Sequence, residues 1–175
     1  DPFRYKKEFA KYGIRSPRGI LMHGPPGCSK TSIAKAIANS MSLPFYSLDT
    51  AAIFSSFVGE SERLVRELFQ AARLTAPSII FLDEIEVIVG KRGGDGNQRD
   101  ALQERLLATF LTEMDGIDNT QDQYVLVIGA TNRADNIDSA LLRPGRFDHV
   151  ILVDLPDYED RVDILSKLMD LCADD

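Results

Sequence analysis

The chain has 175 residues, 44% of them hydrophobic, a length and composition that suit one α/β domain with a substantial core. Its formal net charge of −7 argues against non-specific binding to nucleic acid or to an acidic membrane, because both require a basic face. No apolar run approaches the roughly 18 residues of a membrane-spanning helix, and two cysteines without a disulfide framework predict a reducing, cytoplasmic setting, with the nucleus as an alternative.

Residues 1–17 are polar and predict a lead-in with a short helix, and a phosphate-binding loop follows them. A short apolar run at 20–22 indicates a strand, and apolar residues at helical spacing from Ile33 to Met41 indicate a helix. A loop between them presents backbone N–H groups at a helix N-terminus, where an anion can bind. Lys30 can reach terminal phosphates and the Thr31 hydroxyl can ligate magnesium. The predicted nucleotide-binding residues in this loop are Gly24, Pro25, Pro26, Gly27, Cys28, Ser29, Lys30 and Thr31.

Ser29 stands where the usual phosphate loop has glycine before the lysine. Serine is small and is tolerated at a helix start, so we expect the loop to survive. We expect Cys28 to be a small packing residue rather than a redox group. An ordinary strand-to-helix turn is the alternative for the whole stretch.

The rest of the chain predicts alternating strands and helices. Further strands are predicted at 44–48, 78–82, 124–130 and 150–153, helices around 64–72, 102–114 and 158–172, and a Gly-rich charged loop at 91–98. Because the strands are continuously apolar, both faces of the sheet should be covered, which indicates an open, mostly parallel, doubly wound five-stranded sheet. Ligands bind such sheets at the carboxyl ends of the strands.

Three polar side chains follow predicted strands and can reach a nucleotide in the loop. Asp83 can hold magnesium, directly or through water. Glu84 can direct a water at the γ-phosphate as a general base. Asn132 can orient that water or contact the γ-phosphate, although a simple turn residue is its alternative.

Residues 132–135 superficially resemble the guanine-reading N-K-x-D. The lysine of that motif is absent, and no D-x-x-G occurs in the chain. The sequence therefore favours adenine over guanine as the base.

The ordered segments GPPGCSKT, IIFLDE, GATNR and LLRPGRFD resemble an AAA ATPase module. The resemblance covers nearly the whole chain and is strongest to the valosin-containing-protein, CDC48-like subfamily. The Cys-Ser pair in the loop is similar to the second module of tandem ATPases of ribosome maturation. The resemblance implies a phosphate-loop NTPase fold, with a nucleotide-binding α/β subdomain at 18–155 and the first helix of a mostly absent helical lid at 156–175.

The resemblance also implies roles that the residues alone would not suggest. Arg143 and Arg146 match arginine fingers, which reach the nucleotide of a neighbouring subunit, and residues 114–116 resemble a segment that signals between subunits. Phe57, Val58 and Gly59 match the first pore loop, which grips a substrate polypeptide, and residues 91–99 match the second. Relatives often place lysine before the aromatic residue, and this chain has Ser56.

The implied function is Mg²⁺-dependent ATP hydrolysis by a homohexameric ring that unfolds, extracts or remodels protein substrates, as in CDC48-like segregases, vesicle transport or ribosome maturation. Adaptors would bind domains outside this segment, and no nucleic-acid partner or membrane insertion is expected. The alternatives are a nucleotide-gated assembly scaffold and a microtubule-severing or membrane-fusion relative. An upstream Asp-Ile-Gly-Gly segment that helps hold adenine is not in this chain, so we expect the segment alone to bind and hydrolyse ATP weakly.

Overall fold

The computed structural model describes residues 17–49, 60–89, 98–117 and 124–173. Nearly all of the lead-in predicted at 1–17 therefore lies outside the described residues. Among the residues that are described, no helix combines the length and the apolar character needed to cross a bilayer.

Five parallel strands form one open sheet, which confirms the predicted doubly wound α/β class. The strands are β1 (Gly19–His23), β2 (Phe45–Asp49), β3 (Ser78–Asp83), β4 (Val125–Thr131) and β5 (Phe147–Leu152). Their order in the sheet is β2-β3-β4-β1-β5, and all neighbours are parallel. The strand ends at His23, Asp83 and Thr131 therefore lie along one side of the sheet, here called the carboxyl edge. The opposite side, where Gly19 and Phe147 lie, is the amino edge.

Helices follow the strands, and both faces of the central strands are covered by buried clusters. They are α1 (Lys30–Met41), α2 (Glu60–Leu74), α3 (Glu86–Val89), α4 (Gln98–Asp115) and α5 (Tyr158–Ala173). Two 3-10 helices, Ala134–Asn136 and Ser139–Leu142, lie between β4 and β5. The sequence did not predict these two elements or α3, because three or four residues are too few to show a helical period.

The central strands contribute alternate residues to two separate cores, as their geometry requires. On one face, Ile80 and Leu82 of β3 belong to a cluster that includes residues of α2, α3 and α4. Phe69, Phe110 and Phe147 join that cluster, with ring centroids 5.6 and 6.4 Å apart. On the other face, the remaining β3 side chains pack with α1, in a cluster that contains Ala34, Ala38, Ile79 and Phe81.

The fifth strand differs from the prediction in its bounds and in its burial. It begins at Phe147, three residues before the predicted start, and ends at Leu152. Only Phe147 is buried, whereas the side chains from Val150 to Leu152 are 45–59% exposed. The prediction that both sheet faces are covered is therefore wrong for β5. The physical reason is that β5 is the edge strand of the sheet and that the helix following it (Tyr158–Ala173) is exposed from Tyr158 to Asp170, so it does not bury the β5 side chains.

Candidate nucleotide-binding site

The loop between β1 and α1 has the shape of an anion cradle. Gly24 has φ of 150°, and a Cβ there would clash with the carbonyl oxygen of Val153, so no larger residue fits. Gly27 has φ of 82°, a conformation that glycine adopts without steric cost. The loop enters α1 at Lys30, and the first N–H groups of a helix are available to a ligand. The loop can therefore receive a phosphate group.

Ser29 adopts the left-handed conformation, with φ of 62° and ψ of 24°. The expected strand-loop-helix arrangement is present. Serine normally favours a helix start because it caps the helix from an extended conformation, which Ser29 does not adopt. The Ser29 side chain makes no capping hydrogen bond to the described residues, so the expected benefit of serine at a helix start is not realised. A left-handed conformation costs a residue other than glycine about 1–2 kcal/mol. The substitution of serine for glycine therefore places strain in the loop.

Lys30 lies inside the loop. Its side chain is buried, and Nζ donates hydrogen bonds to the carbonyl oxygens of Gly24 at 2.9 Å and Pro25 at 2.8 Å. These two bonds hold the ammonium group beside the backbone of the loop in which it is predicted to bind phosphate. A fixed positive charge and backbone N–H groups together favour an anionic ligand.

Thr31 and Asp83 are 52 residues apart in the chain and meet at the carboxyl edge. The Thr31 hydroxyl donates a hydrogen bond of 2.8 Å to Asp83 Oδ2. A hydroxyl and a carboxylate are the hard oxygen donors that Mg²⁺ prefers, so these residues fit the predicted magnesium site. Both line a pocket of about 270 Å³, together with Glu84 and Lys35.

Glu84 follows β3 in a tight turn. Its φ is 49°, and its backbone N–H donates a hydrogen bond of 3.1 Å to Asp83 Oδ1. Left-handed conformations of residues other than glycine cluster at functional sites. The residue is exposed and lines the same pocket as Thr31, so water can reach its carboxylate.

Asn132 directly follows β4, which lies beside β1 in the sheet. The Gly24 N–H donates to the Thr131 carbonyl oxygen at 3.3 Å, so Asn132 adjoins the start of the phosphate loop. The backbone N–H of Asn132 donates to Glu86 Oε1 at 3.3 Å, while the residue itself is exposed. The predicted residues that the structure brings to the carboxyl edge are Lys30, Thr31, Asp83, Glu84 and Asn132.

Arg146 lies at the amino edge, away from the loop of its own chain. It directly precedes Phe147, which pairs with Gly19 at the start of β1. The phosphate loop begins after the other end of this five-residue strand, roughly 15 Å further along the sheet. Arg143, three residues earlier, is exposed.

The Arg146 side chain is fixed by the last residue of α4. Nε and Nη2 donate to the two carboxylate oxygens of Asp115 at 3.0 and 2.9 Å, and Nη1 donates to the Ala140 carbonyl oxygen at 2.6 Å. The bond from Arg146 lowers the pKa of the Asp115 carboxyl, and the bond to Asp115 raises the pKa of the Arg146 guanidinium. Asp115 belongs to the 114–116 segment that the resemblance singled out.

The remaining sequence-predicted residues divide into two groups. Cys28 is buried in the described structure, in agreement with its expected packing role. The predicted pore-loop residues Phe57, Val58 and Gly59 lie outside the described residues, as do 91–97 of the second pore loop.

Sequence reasoning missed Glu86 and the ion pair between Arg73 and Glu113, which join neighbouring elements. The sequence shows only that Glu86 is acidic and stands two positions after Glu84. This does not reveal its bond to residue 132. Within the described ranges, no cluster of three or more His, Cys, Asp or Glu side chains could hold a metal ion by itself.

Comparison with known proteins gives a consistent result. The family model described as ATPase family associated with various cellular activities (AAA) matches residues 20–155. Cell division control protein 48 homolog B of Arabidopsis thaliana is 52% identical over 166 residues, which cover 94% of this chain and 27% of that protein. ATPase family gene 2 protein homolog A of Homo sapiens is 49% identical over 94% of this chain and 18% of its own length.

Ribosome biogenesis ATPase RIX7 of Saccharomyces cerevisiae is 44% identical over 97% of this chain and 20% of that protein. The chain therefore spans less than a third of the length of these relatives, which is consistent with one module of a longer, tandem protein.

Proposed function

Because this chain belongs to the AAA family of ATPases, we propose that it binds Mg-ATP at the carboxyl edge and hydrolyses it to ADP and phosphate. The observation that carries the proposal is the 2.8 Å hydrogen bond between Thr31 and Asp83. This bond links the phosphate loop, which contains the buried Lys30, to the end of β3, which Glu84 follows. The side chains proposed to bind phosphate, bind metal and activate water therefore lie in one region.

The loop and its lysine would bind and orient the triphosphate. Backbone N–H groups at the start of α1 and the Lys30 ammonium would neutralise the phosphate oxygens. Thr31 and Asp83 would hold magnesium, which supplies charge neutralisation at the phosphates when bound.

Glu84 would activate the attacking water. Its carboxylate would accept a proton as the water oxygen attacks the γ-phosphorus, and the bond to the leaving ADP oxygen breaks. The Asn132 side chain would orient that water or the γ-phosphate from the adjoining strand end. General-base assistance of this kind contributes about 10²–10⁴-fold to a rate.

Arg143 and Arg146 would complete the site of a neighbouring copy in a ring. Their place near the amino edge supports this, because Arg146 lies roughly 15 Å of strand length away from its own loop. An arginine finger supplied in trans stabilises transition-state charge and is worth about 10³–10⁵ in rate. A homohexamer is the ring that the resemblance implies.

We further propose that hydrolysis drives the remodelling or unfolding of protein substrates, threaded past Phe57, Val58 and Gly59. An aromatic residue packs against any peptide without reading its sequence, which suits varied substrates. One relative, RIX7, is named a ribosome biogenesis ATPase and another a cell division control protein 48 homolog, so ribosome maturation and CDC48-like extraction are the processes we favour.

A nucleotide-gated scaffold is the second candidate, and Ser29 is the observation that favours it. Its strained conformation at the start of α1 lies directly before Lys30, where it could weaken phosphate binding. Such a module would bind nucleotide and assemble without appreciable turnover.

Glu84→Gln tests the hydrolytic proposal in the complete protein. The amide keeps the size of the side chain but cannot accept the proton, so turnover should fall about 10²-fold or more while Mg-ATP stays bound. Glu159→Gln, in the exposed start of α5, is the matched control and should keep native turnover. Unchanged turnover in Glu84→Gln would refute the assignment, and tight binding with no turnover in the native protein would favour the scaffold.

A further inference from the structure

Glu86 lies between Glu84 and Asn132, the two residues that we propose activate and orient the attacking water. It is the first residue of α3, two positions after Glu84, and is half-buried. Its Oε1 accepts the backbone N–H of Asn132 at 3.3 Å, across 46 residues of sequence. The carboxylate therefore bridges the turn after β3 and the turn after β4.

This bridge continues the pairing of β3 with β4 beyond the sheet. The register between the two strands extends to Leu82 and Gly129. Past that point, the Ile85 N–H donates to the Ala130 carbonyl oxygen at 3.0 Å, and the Glu86 carboxylate then accepts from Asn132. The bond to Glu86 thus follows that of Ile85 outward from the sheet and links the turn that bears Glu84 to the turn that bears Asn132.

The second carboxylate oxygen of Glu86 suggests that stability alone does not account for the residue. Glu86 Oε2 is buried and has no hydrogen-bond partner among the described residues. Leaving a buried polar atom unsatisfied costs about 1–3 kcal/mol. An apolar side chain at this position would avoid that cost but could not accept the Asn132 N–H.

We propose that Glu86 is a positioning residue: its carboxylate sets the placement of Asn132 relative to Glu84. This inference rests on the proposed hydrolysis at the same site. A displacement of a catalytic group by about 1 Å can lower a rate 10²-fold, and Glu84 and Asn132 are proposed to act on the attacking water rather than to hold the nucleotide. Loss of the acceptor at residue 86 should therefore change turnover far more than nucleotide affinity.

Glu86→Ala and Glu86→Gln, measured in the complete protein, separate the acceptor from the charge. Both variants remove the negative charge near Glu84, but only glutamine keeps an oxygen that can accept the Asn132 N–H. We expect Glu86→Ala to lower kcat at least about tenfold, with the Kd for Mg-ATP unchanged within about twofold. We expect Glu86→Gln to restore most of the turnover. Full turnover in Glu86→Ala, or equal losses in both variants, would overturn the proposal.

Hydrogen exchange at the Asn132 amide tests the bond itself without requiring turnover. Exchange of a peptide spanning 130–134 should accelerate in Glu86→Ala and stay near native in Glu86→Gln. If the native protein shows no turnover, the proposed function fails, and slow exchange that depends on residue 86 would still verify the bridge. Exchange that is equally fast in all three proteins would refute the bridge.

Glu86→Asp provides a test if the alanine variant does not fold. Aspartate keeps the charge but is one methylene shorter, so its oxygens should fall short of the Asn132 N–H. Its turnover should then be lower than that of Glu86→Gln. Turnover of Glu86→Asp equal to or above that of Glu86→Gln would show that the charge matters and not the reach of the acceptor.

Discussion

Two serines flank α1 in the left-handed conformation, and they allow the cost of Ser29 to be measured. Ser29 precedes the helix with φ of 62°, and Ser42 follows it with φ of 52°. We predict that Ser29→Gly raises the free energy of unfolding by about 0.5–1 kcal/mol, since glycine removes the left-handed penalty but loses more chain entropy on folding. Denaturant unfolding measures the change.

Ser42→Gly is the matched control for this prediction. It relieves the same backbone conformation at the far end of the same helix, outside the phosphate loop. Both glycine variants should gain similar stability, but only Ser29→Gly should bind Mg-ATP more tightly, because only that residue adjoins Lys30. A gain in stability in Ser42→Gly without one in Ser29→Gly would show that contacts of the Ser29 side chain offset its backbone strain.

That the proposed site residues would meet at one edge of the sheet was predictable from residue type and from their places at strand ends. Lysine, threonine and aspartate at these positions indicated a phosphate and magnesium site, and the bond between Thr31 and Asp83 fits that prediction. The left-handed backbone of Ser29 and Glu84 was not predictable, because the loop imposes it against the preference of both residue types. The bond of Glu86 to Asn132 was hidden for a different reason, since it depends on the packing of two turns that are distant in sequence.

At the scale of elements, the end of α4 is joined to the segment before β5 through Asp115 and Arg146. The Arg146 side chain is 16% exposed and that of Asp115 is 56% exposed, so solvent screens part of their attraction. We predict that Asp115→Asn lowers the free energy of unfolding at neutral pH by about 0.5–1 kcal/mol, the upper range for an exposed ion pair with two parallel bonds. Asp170→Asn, in exposed α5, should change it little.

The pH dependence of this effect has a defined sign. The pKa of Asp115 is lowered from its ordinary value of 3.8, so its contribution is fully present above that value and is lost as the pH falls through the lowered pKa. The raised pKa of Arg146 adds no change in this range. The native protein and Asp115→Asn should therefore converge in stability only below about pH 3.8. A difference that instead disappears near pH 6 would exclude the Asp115 carboxylate as its source.

Elements were predictable from the sequence in proportion to their length and burial. The fully buried strands β3 and β4 matched their predicted positions within about a residue. The start of β5 was missed because Asp148 and His149 interrupt its apolar run, and an edge strand tolerates such residues. The short helix α3, which brings Glu86 to Asn132, gives no periodic signal at all.

At the scale of the whole molecule, the sheet separates two groups of residues to which we assign functions. The phosphate loop, Glu84 and Asn132 lie at the carboxyl edge, and Arg146 lies at the amino edge beside the start of β1. One chain therefore cannot bring both groups to a single nucleotide without a large rearrangement of the sheet. In a closed ring with head-to-tail contacts, the arginine of one copy can face the loop of the next.

Mixing two inactive variants tests this division of the site between copies. Glu84→Gln keeps Arg146 but lacks the proposed base, and Arg146→Ala keeps Glu84 but lacks the finger. If each site draws its finger from a neighbour, equal amounts of the two should regain up to about one quarter of native turnover, because a random head-to-tail ring places the productive pair at one interface in four.

Two controls accompany this mixing experiment. Each variant alone, at the same total concentration, should remain inactive. A mixture of Glu84→Gln with Lys30→Ala should recover nothing, because both defects then lie in the carboxyl-edge site of each chain. No recovery in the first mixture despite intact rings would contradict sites shared between copies. It would require Arg146 to serve the nucleotide of its own chain, which the roughly 15 Å separation along β1 opposes. Recovery in the second mixture would instead contradict the assignment of Lys30 and Glu84 to the same site of one chain.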